Sequence, residues 1–178
     1  MKLPTRWILA LAAVLVSQLP QRAATPVDFK KGEHVAFVGG GTGERMSLYG
    51  NFEALLHARF PDRELVVRNF CRPADEVALR QRPNDYAKID DPLTVFRPDT
   101  FVCFFGFNES FAGADGVAKF KTDYAKFIAD YAAKYGTDGK ARFILVSPVA
   151  VENSGDPFLP DGRAENANLA LYTQAVRE

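Results

Sequence analysis

The apolar run Phe101-Val102-Cys103-Phe104-Phe105 breaks at a glycine and then presents an amide, Gly106-Phe107-Asn108-Glu109-Ser110. Apolar runs without polar alternation, rich in Phe and Val, form strands buried on both faces, and such strands belong to parallel sheets between helices. Ligands in open sheets of this kind bind just beyond the carboxyl ends of the strands. Asn108 therefore stands where chemistry is placed, and its side chain is an uncharged N–H donor able to stabilise a developing oxyanion. The competing reading is a cap on the turn or helix that follows. A second chemical candidate is Gly39-Gly40-Gly41, because a glycine-rich turn opening a helix can cradle phosphate with backbone N–H groups. Its spacing tells against a nucleotide. After Gly39-x-Gly41 the dinucleotide fingerprint wants glycine where Glu44 stands, and no lysine supports a phosphate loop.

Positioning such residues requires strands and helices in alternation, and the chain supplies them. His34-Val35-Ala36-Phe37-Val38 reads as a first strand that ends at the glycines. Met46, Tyr49, Phe52, Leu55, Leu56 and Phe60 then follow a helical period, which Pro61-Asp62 stops. Leu65 to Phe70 is a second strand, followed by Cys71 to Glu76, a turn able to start another helix. Between Arg80 and Pro98, Pro, Asp and Asn recur without an apolar period, which predicts a long surface loop. Thr100 to Phe105 is the third strand. Val117, Phe120, Tyr124, Phe127, Ile128, Tyr131 and Tyr135 form an apolar stripe at helical spacing that closes at Gly136, a core face rather than a cofactor box. Arg142 to Pro148 is a fourth strand, Val149 to Arg163 a loop, and Leu169, Tyr172 and Val176 mark one face of a last helix. This order predicts a three-layer α/β fold with a parallel sheet.

Length and composition bound the rest. The 178 residues fit one domain with a real core, and Lys plus Arg equals Asp plus Glu at 22 each, so no charge excess favours nucleic acid or an anionic membrane. Lys2 and Arg6 precede the apolar stretch Trp7 to Val16, then Ser17-Gln18-Leu19-Pro20 and Ala23-Ala24. That pattern predicts a signal peptide over residues 1–24 and a domain over 28–178, exported to the periplasm or outside the cell. An uncleaved N-terminal anchor is the alternative; no membrane span is expected once the leader is removed. Cys71 and Cys103 are the only cysteines. One lies inside a core strand and the other just past the end of another, which predicts two unpaired, buried thiols. Without CxxC, CxxCH or a Cys/His cluster no metal or cofactor is expected.

Taken in order, the three strand-end loops resemble those of the SGNH (GDSL-type) ester hydrolases, a family with a flavodoxin-like three-layer α/β/α fold. The likeness runs from about Phe29 to the end. It fits exported bacterial members whose loose first block is followed by Glu-Arg-Met, here Glu44-Arg45-Met46. Phe104 to Gly113, Ser147 to Asn153 and Leu159 to Asn168 resemble the same subgroup. The resemblance puts the family's nucleophilic serine on Gly41, which keeps a backbone amide but cannot attack an ester. Thr42, one position later, carries a hydroxyl and is the remaining candidate nucleophile, against a turn or capping role. In the second block Ala74 of Pro73-Ala74-Asp75 falls on the glycine whose backbone amide serves the oxyanion hole. In the third block, GxND, Asn108 inherits the oxyanion-hole role and Glu109 replaces the aspartate.

The family's last block, DxxH, supplies the general base, and no histidine follows His57 here. His34 begins the first strand and His57 lies in the first helix, so both read as structural or surface residues. The fifth strand and the DxxH block would follow Glu178, so the resemblance implies a sheet truncated after its fourth strand and a domain incomplete at its C-terminus. What it implies for function is an exported ester hydrolase acting on acyl or acetyl esters, including those of carbohydrates, inactive as this chain stands. Its partner would be a small ester or glycan, with no nucleic acid. The alternative is a non-catalytic binding module of the same fold that recognises a glycan or a protein. For Asn108 to face the Gly39 to Thr42 turn, the strands must lie in the order second, first, third, fourth.

Overall fold

The computed structural model describes residues 27–80, 90–136 and 139–178, so the leader expected over 1–24 lies outside the described residues. Strands β1 (His34–Gly39), β2 (Val66–Asn69), β3 (Thr100–Phe104) and β4 (Arg142–Leu145) form one sheet in the order β2-β1-β3-β4. Every neighbouring pair is parallel. Gly39 pairs with Phe104 and Phe37 with Asn69, which brings the carboxyl ends of β1, β2 and β3 to one edge.

Alternate residues of these apolar strands serve two cores, the reason their sequences show no polar alternation. Val35, Phe37, Val67, Val102 and Phe104 pack with Phe29, Met46, Leu56 and Phe60 on the face covered by α1 (Gly41–Tyr49) and α2 (Asn51–Arg59). Ala36, Val38, Phe101 and Cys103 face the other way, against α3 (Asp90–Phe96), α4 (Val117–Lys134) and α5 (Arg163–Arg177). The stripe on α4 is core, as expected: Phe120, Tyr124, Phe127 and Tyr131 are buried. Rings of Tyr131, Tyr135 and Phe143 all lie within 5.5 Å of that of Phe101. The molecule is thus a three-layer α/β/α sandwich on a parallel sheet. Among the described residues no helix is long and apolar enough to cross a membrane.

Three expectations about elements need correction. The single helix through Met46 and Phe60 is two, because Gly50 takes φ +62°, ends α1 by donating its N–H to Met46 O, and begins α2 at once. Glycine enters that left-handed region without the Cβ penalty, and hydrophobic spacing does not register one such residue. The surface loop expected from Arg80 to Pro98 contains α3, whose Leu93 is buried and whose Phe96 packs on the same core; an apolar pair three residues apart is too short to reveal a period. No helix starts between Cys71 and Arg80, where the chain makes a tight turn instead.

Candidate active site

The three strand ends build one cleft of about 330 Å³, whose lining includes Gly41, Thr42, Arg45, Ala74, Phe107, Asn108, Glu109 and Val149. Gly41, Thr42, Ala74 and Asn108 therefore border the same space.

The first wall follows from glycine. Gly39 has φ +133°, and a Cβ there would lie 2.3 Å from Phe104 O, so β1 and β3 can end this close only without a side chain. Gly40 donates its N–H to the same carbonyl at 2.9 Å and precedes α1. A Cβ on Gly40 would stand 3.1 Å from Asp75 O and 3.5 Å from Asn108 Nδ2, whereas one on Gly41 would meet nothing within 4 Å. No side chain caps α1, so its first-turn N–H groups are left for solvent or a ligand at the positive end of the helix.

The second wall is locked to the first by Asn69. Its Nδ2 donates to Gly43 O at 2.7 Å while its Oδ1 accepts from Cys71 N at 2.9 Å. Arg72 N–H reaches Gly39 O at 3.0 Å, and Asp75 N–H closes a turn on Arg72 O at 3.2 Å. Pro73 and Ala74 occupy the centre of that turn, with Ala74 at φ +63°. Positive φ at the third turn position after proline is where glycine normally stands. Alanine thus stands in a glycine's place in the turn, in a conformation that costs it energy.

The third wall carries Asn108. It precedes the short helix Glu109–Ala112, but its side chain makes no capping bond. Instead its Nδ2 points across to Asp75 O at 3.3 Å, which sets aside the capping reading. An amide nitrogen carries two hydrogens, so a second N–H is left for the cleft. Ser110 Oγ donates to Phe107 O at 2.6 Å and fixes the turn. The Glu109 carboxylate accepts Gly106 N–H at 2.8 Å and Val77 N–H at 2.9 Å, tying this loop to the second. Burial pushes the Glu109 carboxyl above its ordinary value, against the lowering effect of the N–H bonds it accepts.

The arrangement offers N–H donors at a helix start, at the Ala74 turn and at Asn108, which suits a developing negative charge. No histidine is in the cleft lining among the described residues. His34 lies at the amino end of β1, its Nδ1 directed at Phe96 O at 2.6 Å and its ring stacked on Phe96. His57 is half-buried on α2 beside Glu53. Both are structural or surface residues in place. Cys71 and Cys103 are free and buried, and burial pushes both thiols far above their ordinary value, which makes them inert. Asn69 and the Glu109 clamp escaped the sequence reading. The available signal was a polar residue ending an apolar strand, and an acid in a loop otherwise built of small and apolar groups.

No family model and no curated protein matches this sequence. Among solved structures, a gut microbial diltiazem-metabolizing enzyme is similar with a TM-score of 0.60 at 14% identity over 86% of this chain. This chain spans only 35% of that one's length. An acetyl xylan esterase is similar with a TM-score of 0.57 at 15% identity, covering 81% of this chain and 70% of its own. A psychrotrophic esterase from Pseudoalteromonas sp. follows at 0.51 and 14%, covering 82% of this chain and 72% of its own. Likeness at such identities establishes a shared esterase-like fold.

Proposed function

We propose that this chain is an SGNH-type ester hydrolase domain, exported, whose cleft accepts acyl or acetyl esters, including those on carbohydrates. The observation that carries the reading is the meeting of Gly41, the Ala74 turn and the Asn108 amide in one cleft at the carboxyl edge of the sheet. In the proposed mechanism the ester carbonyl sits among these donors, which hold the tetrahedral oxyanion. A hydroxyl beside Gly41 would attack, and Thr42 is the one that the cleft lining offers there. The lining offers no histidine to take its proton, so the 178 residues alone should hydrolyse nitrophenyl acetate no faster than buffer.

Position 41 supplies the test. Its side-chain direction is open, so Gly41→Ser introduces a hydroxyl without a clash. With no histidine in the lining to act as base, the serine proton passes to solvent as the good leaving group nitrophenolate departs. This variant should therefore acquire acetyl at position 41 from nitrophenyl acetate slowly and keep it, because water needs the same base to deacylate; mass spectrometry reads the adduct. Adding Asn108→Ala should slow that trapping by roughly 100-fold, the usual scale of one oxyanion donor. Should the unaltered chain turn over, Thr42→Ala should abolish it. Robust turnover indifferent to Thr42→Ala and Asn108→Ala would put the active site elsewhere.

One observation favours a second reading. Gly41 fills the nucleophile position, and a cleft without a nucleophile can still bind. A non-catalytic module recognising a glycan would bind acetylated oligosaccharides by calorimetry and leave them intact.

A further inference from the structure

We propose that Glu109 is the positioning residue of this cleft: by holding Gly106 N–H and Val77 N–H in one carboxylate, it fixes the loop that bears Asn108 against the loop that bears Ala74, and so sets the strength with which the cleft binds an oxyanion. The inference rests on the oxyanion-hole reading above and goes beyond it.

The geometry is specific. Oε2 accepts from Gly106, three residues back at the turn of its own loop, and Oε1 accepts from Val77, thirty-two positions away. Val77 is buried in the core beneath α4, so its N–H is anchored rather than free to follow the loop. Gly106 sits at φ +106°, a conformation that the carboxylate bond helps to hold. Between the two anchors stands Asn108, which donates to Asp75 O of the second loop at a long 3.3 Å. A bond of that length does not by itself hold an amide in place. Two charge-assisted bonds from a neighbouring residue do. The shorter aspartate of the GxND pattern lacks one methylene of the reach seen here.

A different role for the same carboxylate predicts the opposite result. Glu109 lines the cleft, so if it were only a charge there it would repel an anion, and neutralising it would strengthen binding. As a positioning residue it does the reverse. The charged and titratable groups around it are Glu76 from the second loop, Tyr124 of α4 and Tyr172 of α5, with Glu44, Arg45 and Asp75 on the cleft wall.

The test has two arms on the intact chain and its Glu109→Gln and Glu109→Asp variants. In the first, without ligand, nitrogen-resolved NMR follows the Gly106 and Val77 amides and the Asn108 side-chain amide against pH. All three should titrate with one midpoint above the ordinary glutamate range, and Glu109→Gln should abolish that titration and displace the Asn108 signal. An Asn108 signal unchanged by Glu109→Gln overturns the proposal, as does a midpoint not shared by the three groups. In the second arm, ethylphosphonate is titrated as a tetrahedral oxyanion. Glu109→Gln should bind it about tenfold more weakly, the scale of one lost charge-assisted bond, despite removing a like charge. Glu109→Asp should fall between. Tighter binding by Glu109→Gln overturns the proposal. If the unaltered chain binds no ethylphosphonate, the oxyanion-hole reading fails, and the first arm alone decides whether Glu109 positions Asn108.

Discussion

Ala74 shows that a non-glycine residue can hold a left-handed turn position at some cost. The turn from Arg72 to Asp75 keeps its closing bond, and Ala74 stays in the cleft lining, but at φ +63° the Cβ of an L-residue crowds its own backbone. The left-handed conformation costs a non-glycine residue about 1–2 kcal/mol. Glycine would remove that strain and give back part of the gain through the extra freedom of the unfolded chain, about 0.4–1 kcal/mol. Ala74→Gly should therefore stabilise the protein by about 0.5–1 kcal/mol in urea unfolding. A loss of stability would show that the alanine methyl makes contacts worth more than the strain. Thr42 and Gly41 line the same cleft, and the side-chain direction at Gly41 is open. Residue types at such positions are legible from sequence, whereas the dihedral at Ala74 is not, because a turn's handedness depends on what closes it.

At the scale of elements, two glycines separate steric contact from backbone strain. Gly39 ends β1 at φ +133° with Phe104 O in the place of a Cβ, and Gly50 joins α1 to α2 at φ +62° with nothing within 4 Å. Gly39→Ala must push β1 from β3 at the point where the cleft begins, so it should cost more than about 3 kcal/mol, the range of severe backbone and packing defects. Gly50→Ala bears only the conformational penalty of about 1–2 kcal/mol. Chemical denaturation of both variants checks the ranking, and equal losses would mean that the close approach at Gly39 relaxes freely. The strands, their order and the α4 stripe were legible because burial on two faces leaves an unbroken apolar signature. The α1–α2 break and α3 were not. One rests on a left-handed glycine inside a continuous period, the other on a pair of apolar residues too few to make one. The cleft was legible as three loops meeting at an edge. The clamps that hold it, Asn69 and Glu109, act through backbone partners that leave no mark in sequence.

The whole molecule places its two thiols on either side of its sheet. Cys71, just past the end of β2, packs with the core under α1 and α2, Cys103 of β3 with the core under α4, and β1 lies between β2 and β3. Desolvation by burial is the largest cause of the upward shift in each. Both thiols are thus neutral in the folded protein at a pH where the unfolded chain releases their protons. For a group whose folded pKa is raised, the associated stability is fully present below the unfolded value and lost as pH climbs from there towards the folded one. The ordinary value is 9.0, so folding stability should be level up to about that pH and then decline. The limiting slope is about 1.4 kcal/mol per pH unit for each thiol, because above the unfolded pKa each unfolding event releases one proton per cysteine. Urea unfolding between pH 7 and pH 10, with Ellman's reagent added to the native protein at each step, reads both halves of the argument. The expected outcome is falling stability beyond the thiol range together with slow labelling of the folded state. Stability that stays level to pH 10, or labelling as fast as that of the unfolded chain, would show that the two cores admit water to these thiols, and that the layers on the sheet are looser than their packing implies.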